Sequence, residues 1–370
     1  MKFICEQQKL SKALTIVSKA VTSRTTIPIL KGIMLDLHED GKLTLSASDL
    51  DISIKNTIET EAEEAGSVIV MAKLFGDIIR KLPNREVEFT CDEDYNVTIR
   101  CMNSEFKIVG MSTDEFPNVN RLDEDTRALE FDIASVKKMI DRTAFAASSD
   151  EARGIITGML VEAGEDQLSM VAIDGYRMAI NRKEQVNPEP IKFIVSAKII
   201  SEVSRILGEA DSEEETGTLY LSRQKVIFSF GNIQAELKLM EGEFIRYKDI
   251  LPKSSKITLT IDRGLLLESI ERASLLSKAG KNNLIRMKLQ DTLVTITSNS
   301  EEGNVREEVA VVKQGDDLEI GFNSQYMMDI LKSIPEDEIV MLFNTPITPC
   351  LIRPTEGSAF EYLILPVRIN

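Results

Sequence analysis

Residues 6–14, EQQKLSKAL, recur twice further along the chain. The second copy is residues 132–140, DIASVKKMI, and the third is residues 262–270, DRGLLLESI. Each copy has an acidic residue followed by apolar residues four and eight positions later, a spacing that places them on one face of a helix. The copies lie 126 and 130 residues apart. This period is too long for a solenoid repeat and is typical of a whole domain.

Two further patterns recur in the same order and at nearly the same offsets. One set comprises residues 72–75 (AKLF), 197–200 (AKII) and 324–327 (SQYM). The other comprises residues 43–49 (LTLSASD), 168–174 (LSMVAID) and 293–299 (LVTITSN). Three patterns that share one order and one offset predict three homologous domains. We place these domains at residues 1–121, 127–251 and 252–370.

The spacing of apolar residues within each repeat predicts both helices and strands. Leu10, Leu14 and Val17 share one face of a helix, and each repeat contains two such segments. Short segments with alternating apolar residues, such as 87–91 and 97–101, predict antiparallel strands joined by turns. Two helices on antiparallel sheets in each domain give an α+β fold class.

Composition excludes several classes of protein. No apolar run approaches the roughly 18 residues of a membrane span, so we expect no membrane association. The four cysteines lack metal-ligand spacing, which predicts buried free thiols in a reducing cytoplasm: Cys5, Cys91, Cys101 and Cys350. His38 is the only histidine and lies in a predicted turn, which argues against histidine-based catalysis or a metal site. We expect no cofactor.

The charges are separated along the chain, although the net charge is −16. Residues 7–35 and 272–290 contain basic residues but no Asp or Glu. Acidic residues concentrate elsewhere, as in residues 59–64 and 211–215. This segregation predicts one positive surface, able to meet phosphate groups, on a negatively charged body.

Several segments carry a resemblance to a known family, and they follow one another in the family's order: residues 25–30 (TTIPIL), 46–51 (SASDLD), 172–179 (AIDGYRMA), 322–326 (FNSQY) and 366–368 (PVR). Over its whole length the chain resembles the bacterial β sliding clamps, the processivity subunits of DNA polymerase III. The resemblance implies a six-domain ring, formed by a head-to-tail homodimer, that encircles double-stranded DNA without reading its sequence. It implies a non-catalytic accessory subunit.

The resemblance also implies positions for the DNA-facing and interface residues. Basic residues on the helices that line the ring would face DNA: Arg24, Lys12, Lys73, Lys138, Arg142, Lys198 and Arg205. Apolar residues of the first and third domains would meet at the dimer interface: Phe106, Ile108, Leu275 and Leu276.

The family further implies a peptide-binding cleft between the second and third domains. Polymerase, clamp loader and repair proteins would bind there through a Gln-Leu-x-Leu-Phe-like motif. The corresponding walls are Ile156, Ile173, Gly175, Arg177, Met178, Ile245, Ile250, Tyr326, Pro349, Leu363, Leu365, Pro366, Val367 and Arg368. Two positions depart from the family pattern: Ile245 replaces a common proline, and Asp249 replaces a residue that is basic in some members. The motif preference is therefore open.

Two other interpretations remain at this point. An enzyme would require a catalytic frame, and the chain has no phosphate-binding glycine loop and no nucleophile in a recognisable frame with a histidine. A divergent clamp paralogue with altered partner or drug specificity would keep the same fold, and Ile245 and Asp249 are compatible with it.

Overall fold

A computed structural model describes residues 1–22, 25–117, 126–187, 189–209, 215–278 and 283–369. These residues form six α-helices: α1 (Gln7–Val17), α2 (Ala72–Lys81), α3 (Ile133–Asp141), α4 (Ala197–Leu207), α5 (Arg263–Ser277) and α6 (Ser324–Ser333). Short 3-10 helices cover Ser18–Ala20, Pro28–Lys31, Ala144–Ala146, Glu151–Thr157 and Tyr247–Asp249.

Each repeat contributes a series of short strands. The first repeat has β1 (Lys2–Glu6), β2 (Gly32–Leu37), β3 (Lys42–Ser48), β4 (Ile52–Glu59), β5 (Glu61–Glu64), β6 (Gly66–Met71), β7 (Glu86–Cys91), β8 (Asn96–Cys101) and β9 (Ser104–Val109). The central repeat has β10 (Arg127–Asp132), β11 (Gly158–Ala163), β12 (Gln167–Ile173), β13 (Arg177–Glu184), β14 (Ile191–Ser196), β15 (Thr216–Leu221), β16 (Lys225–Phe230) and β17 (Ile233–Lys238). The third repeat has β18 (Ile257–Asp262), β19 (Leu284–Gln290), β20 (Leu293–Ser300), β21 (Gly303–Gln314), β22 (Leu318–Asn323), β23 (Glu338–Phe343), β24 (Cys350–Pro354) and β25 (Phe360–Ile364).

The chain forms two compact units. Met1–Lys137 with Glu202–Leu239 make the first, and Lys138–Ser201 with Met240–Asn370 make the second. The first unit contains a five-stranded sheet, β5-β1-β7-β8-β9, and an eight-stranded sheet, β10-β15-β16-β17-β4-β3-β2-β6. The second contains a twelve-stranded sheet, β14-β11-β12-β13-β25-β24-β23-β18-β21-β20-β19-β22. The strand pairs that build these sheets are antiparallel, which confirms the α+β class.

The sheets run across the repeat boundaries. At the first junction β17 of the central repeat pairs with β4 of the first repeat, with Ala235 opposite Ile54. At the second junction β25 of the third repeat pairs with β13 of the central repeat, with Tyr362 opposite Ala179. The last strand of a repeat therefore extends a sheet of the preceding repeat.

The acidic residue of the repeated pattern acts as a helix cap in two of its three copies. The Asp132 carboxylate accepts a hydrogen bond from the Ser135 amide at 2.7 Å, and the Asp262 carboxylate accepts one from the Leu265 amide at 2.7 Å. These bonds satisfy amides that have no partner within the first turn of the helix. Glu6 precedes α1 without a side-chain cap, and the Gln7 amide donates instead to the carbonyl of Arg85.

One of the repeated patterns is aligned one residue too early in its third copy. Leu43 and Leu168 are buried, but the residue aligned with them, Leu293, is exposed. The buried face of β20 contains Val294, Ile296 and Ser298. Because side chains alternate across a strand, a shift of one residue exchanges its two faces.

Several smaller predictions agree with the structure. The predicted hairpin strands are present, with Cys91 opposite Val97 in the pair β7–β8. His38 is exposed at the turn between β2 and β3. The four cysteines are unpaired thiols, and three of them are buried while Cys91 is partly exposed.

Candidate partner-binding site and sheet edges

The turn between β12 and β13 has a backbone that favours glycine. Gly175 has a φ of 88°, in the left-handed region that most side chains disfavour. The Asp174 carboxylate accepts hydrogen bonds from the amides of Tyr176 (2.8 Å) and Arg177 (2.9 Å). A Cβ at Gly175 would lie 2.9 Å from the Arg153 guanidinium. The turn therefore presents Tyr176 and Arg177 in fixed positions.

Arg177 is the best-connected side chain of this site. Its guanidinium pairs with Asp174 at 3.0 Å and with Asp329 of α6 at 2.5 Å, and it donates to the Phe145 carbonyl at 2.9 Å. The side chain is only 10 % exposed. A buried guanidinium needs such partners because an unpaired buried charge is costly. Arg177 thus holds the turn against α6.

Cationic and aromatic groups alternate beside this turn. The Tyr176 and Tyr326 rings are stacked with centroids 6.0 Å apart, and the Arg177 guanidinium lies 4.6 Å from the Tyr326 centroid. The Arg153 guanidinium lies 6.0 Å from the centroid of the Tyr176 ring. We call the two stacked rings the Tyr176–Tyr326 shelf. Burial raises the pKa of the Tyr326 phenol, because desolvation disfavours the charged phenolate. Tyr176 is 54 % exposed and offers a flat apolar surface to a ligand.

The residues predicted to line the cleft fall into three groups. Ile173, Met178 and Leu363 are buried, and they belong to a core cluster that also holds Phe244 and Tyr247. The half-buried residues are Ile156, Arg177, Tyr326, Pro349, Pro366 and Val367. The exposed ones are Gly175, Ile245, Ile250, Leu365 and Arg368. The buried group can shape the site from below, whereas the exposed apolar side chains can touch a ligand directly.

Backbone contacts bring the C-terminal segment to the turn and to β22. The Leu365 amide donates to the Tyr176 carbonyl at 2.8 Å, and the Val367 amide donates to the Gly321 carbonyl at 2.8 Å. Phe244 and Tyr247 anchor the segment that carries Ile245, and the Tyr247 hydroxyl donates to Glu162 at 2.8 Å. The C-terminal segment, the turn and α6 therefore meet at one place.

Sequence reasoning missed three residues of this site. Arg153, Phe145 and Asp329 all contact the turn or Arg177. Arg153 lies in the 3-10 segment Glu151–Thr157, and Asp329 is one of many acidic residues on helices. Only the unusual density of functional groups in residues 174–177 could have directed attention to their neighbours.

The predicted DNA-facing residues lie on or next to helices. Lys12, Lys73, Lys138, Lys198 and Arg205 are exposed, while Arg142 is half-buried. Arg205 forms an ion pair with Glu202, which neutralises its charge locally. Arg24 lies outside the described residues.

The predicted interface residues include two large exposed apolar side chains. Phe106 on β9 is 39 % exposed and Leu275 on α5 is 71 % exposed, while Ile108 and Leu276 are half-buried. Exposed apolar groups of this size often mark a surface that a partner covers.

The described residues contain neither a candidate metal cluster nor a candidate membrane-spanning helix. No set of three or more His, Cys, Asp or Glu side chains in these ranges is arranged to hold a metal ion. None of the helices described here combines the length and the apolar character needed to cross a bilayer.

Comparison with known families defines the class of protein. Three family models match the chain in order: the N-terminal domain of the DNA polymerase III beta subunit at residues 1–120, the central domain at 130–245 and the C-terminal domain at 248–368. A chain with these three domains is an accessory subunit of a bacterial replicative polymerase.

Relatives and solved structures agree with this class. The beta sliding clamps of Staphylococcus epidermidis and Staphylococcus aureus are 35 % and 34 % identical over 380 residues, covering 100 % of this chain and 99 % of theirs. The Bacillus subtilis sliding clamp matches with a TM-score of 0.95 and 32 % identity over the full length of both chains. A Pseudomonas aeruginosa sliding clamp bound to griselimycin matches with a TM-score of 0.93 and 27 % identity, again over both full lengths.

The chain belongs to the bacterial β sliding clamp family, the beta subunits of DNA polymerase III. The predictions of family, fold class and processivity-factor function are thereby confirmed.

Proposed function

We propose that this chain forms a homodimeric ring that encircles duplex DNA and tethers replication and repair proteins to it, without catalysing a reaction itself. In bacteria the chromosome is replicated in the cytoplasm, and we place the protein there. The observation that carries the proposal concerns the last strand of each repeat. In two repeats this strand pairs with the preceding repeat, whereas in the first repeat it lies at a sheet edge.

The last strand of each repeat has an equivalent role. β17 pairs with β4, and β25 pairs with β13, in both cases across a repeat boundary. β9 is the equivalent strand of the first repeat. It lies at the edge of the five-stranded sheet, paired with β8 alone among the described residues. β4 and β13 are the strands that accept a last strand at the two junctions. The equivalent segment of the third repeat is residues 303–310 of β21, which pair with β20 among the described residues.

We call the proposed pairing of β9 with β21 of a second copy the seam. Ser104 is equivalent to Ile233, because each is the first residue after the turn that precedes the last strand of its repeat. Val305 is equivalent to Ile54, because Val305 lies opposite Ser298 and Ile54 lies opposite Ala47. The register of the first junction then places Phe106 opposite Val305. Two identical seams close a symmetric dimer and leave neither edge unpaired.

The side chains along the seam are complementary. The same register places Glu105 opposite Arg306 on the outer face, because Gln234 lies opposite Lys55 at the first junction. On the inner face it brings Phe106 and Ile108 toward an apolar surface, and Leu275 and Leu276 on α5 provide one. Association would remove these exposed apolar groups from water.

A charge exchange tests the register of the seam. Glu105→Arg and Arg306→Glu should each weaken the dimer by about tenfold, because like charges would then face each other across the strands. The combined variant should restore most of the affinity, measured by sedimentation at several protein concentrations. If the double variant is as weak as the sum of the single variants, Glu105 and Arg306 do not face each other.

Retention on circular DNA tests the ring itself. Protein loaded onto a nicked circle by a clamp loader with ATP should be released when the circle is cut, since topology rather than affinity holds it. Equal retention on circular and cut DNA would contradict encirclement. The acidic net charge is compatible with this mechanism, because a closed ring needs few attractive contacts with phosphates.

We further propose that the site around Tyr176 and Leu365 binds the Gln-Leu-x-Leu-Phe-like segments of polymerase, clamp loader and repair proteins. Exposed Ile245, Ile250 and Leu365 offer apolar contacts, and the Tyr176–Tyr326 shelf offers an aromatic one. The Pseudomonas aeruginosa relative was solved with griselimycin bound, so at least one member of the family binds a ligand. Fluorescence anisotropy with a labelled motif peptide measures the affinity, and Tyr326→Ala should reduce it.

A further inference from the structure

The segment that follows the last strand of each repeat crosses the strand that precedes the second helix of that repeat. The crossing residue is the seventh after the first residue of the last strand: Met111, Met240 and Val367. Its amide donates at 2.8–2.9 Å to the carbonyl of a residue that lies three positions before the helix: Ile69, Ile194 and Gly321. The crossing is therefore a repeated feature of the fold, and among the three repeats its acceptor is a glycine in the third alone.

The neighbouring strand carries a residue that is complementary in size to the acceptor. In the first repeat Gly32 begins β2, and a Cβ there would lie 2.3 Å from Cγ2 of Ile69. In the central repeat Gly158 begins β11, and a Cβ there would lie 2.7 Å from Cγ2 of Ile194. In the third repeat Leu284 begins β19, and the acceptor on β22 is the glycine. The large and the small residue have therefore exchanged strands in the third repeat.

This exchange brings the C-terminal segment close to β22. A Cβ on Gly321 would lie 2.8 Å from the Val367 carbonyl oxygen, 2.9 Å from Cδ1 of Leu284 and 3.0 Å from Cγ1 of Ile369. Ordinary contacts between carbon atoms are longer, at about 3.5–4.0 Å. The Val367 carbonyl belongs to the backbone, so it cannot make room without a shift of the whole segment. Leu284 and Ile369 thus occupy the space in which a side chain at position 321 would stand.

Two backbone hydrogen bonds hold this segment on either side of Pro366. The Leu365 amide donates to the Tyr176 carbonyl, and the Val367 amide donates to the Gly321 carbonyl, both at 2.8 Å. The proline ring fixes φ between them, so a displacement of Val367 is passed on to Leu365. Leu365 is exposed, whereas Gly321 is buried. Gly321 can therefore change the exposed surface of the segment without being part of it.

We propose that Gly321 is a positioning residue of the partner-binding site, which sets the place of Leu365 beside the Tyr176–Tyr326 shelf through Val367 and Ile369. This assignment rests on the proposed binding of motif segments at that site. It adds that the affinity for a partner depends on a residue of β22 that is buried beneath the C-terminal segment. An isoleucine at this position, as in the first and central repeats, leaves no space for the Ile369 side chain.

Three single variants of the full-length protein and one double variant test this assignment. Gly321→Ala adds the Cβ that displaces the Val367 carbonyl, and Ile369→Ala removes the side chain that lies over Gly321. The double variant combines these two changes. Gly32→Ala is the matched control, because it crowds Ile69 in the first repeat in the same way. Fluorescence anisotropy with a labelled Gln-Leu-x-Leu-Phe peptide measures the affinity, and thermal melting verifies that each variant is folded.

The pattern of affinities decides the outcome. Gly321→Ala should weaken peptide binding by about tenfold and Ile369→Ala by about threefold, while Gly32→Ala keeps the wild-type affinity. The double variant should be no weaker than Gly321→Ala, because both changes release the same contact. Wild-type affinity in Gly321→Ala, losses that add in the double variant, or an equal loss in Gly32→Ala would overturn the proposal. If Gly321→Ala does not fold, Ile369→Ala decides alone, and wild-type affinity in that variant overturns the proposal.

Hydrogen exchange without peptide separates this proposal from the proposed function. In Gly321→Ala the amides of Leu365 and Val367 should exchange about tenfold faster than in the wild type, because the segment is no longer held against β22. If the wild-type protein does not bind the peptide, the partner site fails and its assignment to Gly321 fails with it, although faster exchange still shows that Gly321 holds the segment. If the wild-type protein binds the peptide but exchange and affinity are unchanged in Gly321→Ala, the partner site stands and the role of Gly321 is wrong.

Discussion

The first and second junctions have the same strand arrangement but different surfaces. In both, an aspartate carboxylate accepts two backbone amides at the turn that precedes the acceptor strand: Asp49 at the first junction and Asp174 at the second. The next residue has a positive φ in both, 78° at Leu50 and 88° at Gly175. What differs is the side chains, and on these the proposed partner binding at the second junction depends.

The differences follow position by position. Buried Ile52 begins β4, whereas the guanidinium of Arg177 begins β13. Glu236 of β17 forms an ion pair with Lys225 at 3.1 Å, whereas its counterpart Leu363 belongs to an apolar core cluster. A similar backbone thus carries a polar surface at one junction and an apolar site with an aromatic shelf at the other.

The largest expected effect concerns Arg177. Arg177→Ala leaves Asp174 and Asp329 without their buried partner, so we expect a loss of about 3–5 kcal/mol in the free energy of unfolding and loss of peptide binding. Ile52→Ala, the matched change at the first junction, should destabilise by about 2–4 kcal/mol through a cavity while peptide binding is kept. Urea unfolding at one protein concentration and peptide anisotropy provide the measurements. Retained peptide affinity in Arg177→Ala would show that Arg177 does not organise the site.

The next effect distinguishes the exposed apolar side chain of Leu365 from the charged side chain at the equivalent position of the first junction. Leu365→Glu should weaken binding of a motif peptide by about thirtyfold, equivalent to about 2 kcal/mol, because a charge would replace an apolar contact. Lys238→Glu, at the position equivalent to Leu365, should leave the affinity unchanged. Equal losses in the two variants would remove the distinction between the junctions.

A smaller effect is expected from the residues with positive φ. Gly175→Ala should destabilise the protein by about 1 kcal/mol, since the left-handed region disfavours a Cβ and Arg153 must move. Leu50→Gly relieves the corresponding strain but gives the unfolded chain more freedom, so we expect a change within about 0.5 kcal/mol. Thermal unfolding measures both, and a stable Gly175→Ala variant would mean that this turn tolerates a side chain.

The smallest expected effect is a change in the pH dependence of stability, at the position of the third repeat that is equivalent to Asn56. Glu307 occupies this position on β21, and its hydrogen bond with Arg272 lowers the pKa of its carboxyl. Its contribution to stability is therefore present above the unfolded pKa of about 4.3 and is lost as the pH falls through the lower folded value. Glu307→Gln should flatten this acid dependence slightly in urea unfolding followed against pH. Asn56→Asp at the first junction is the converse change. If stability depends on pH in Glu307→Gln as it does in the wild type, the Glu307–Arg272 pair contributes nothing to stability.

Local patterns in the sequence predicted the repeated elements of the fold. Leu10 and Leu14 on α1, and Val87 and Val97 on facing strands, are buried as the 3.6-residue and two-residue periods indicate. The third copy of one strand pattern was misaligned because Leu293 looks like Leu43 in sequence, and only the pleat distinguishes the buried face. The boundaries proposed for the domains stay predictions, and the strands of the central repeat are shared between two compact units.

The candidate site was predictable only in part. The density of functional groups in residues 174–177 pointed to the turn, but the contacts of Arg177 with Asp329 and Phe145 span 152 and 32 residues along the chain. Likewise, the acid-free stretch that contains Arg272 predicts a positive surface, yet Glu307 neutralises this arginine from a distant strand. Pairings of this kind have no local signature.

The sequence by itself determined the threefold repeat, the α+β class and the family, because these rest on periodicity and on motifs that lie within short segments. The tertiary structure decided which of the equivalent positions are buried, paired or exposed. It buried Arg177 among acidic partners and, among the described residues, left β9 at the edge of its sheet and paired residues 303–310 of β21 with β20. The physical reason is that burial and charge pairing depend on neighbours brought together from distant parts of the chain.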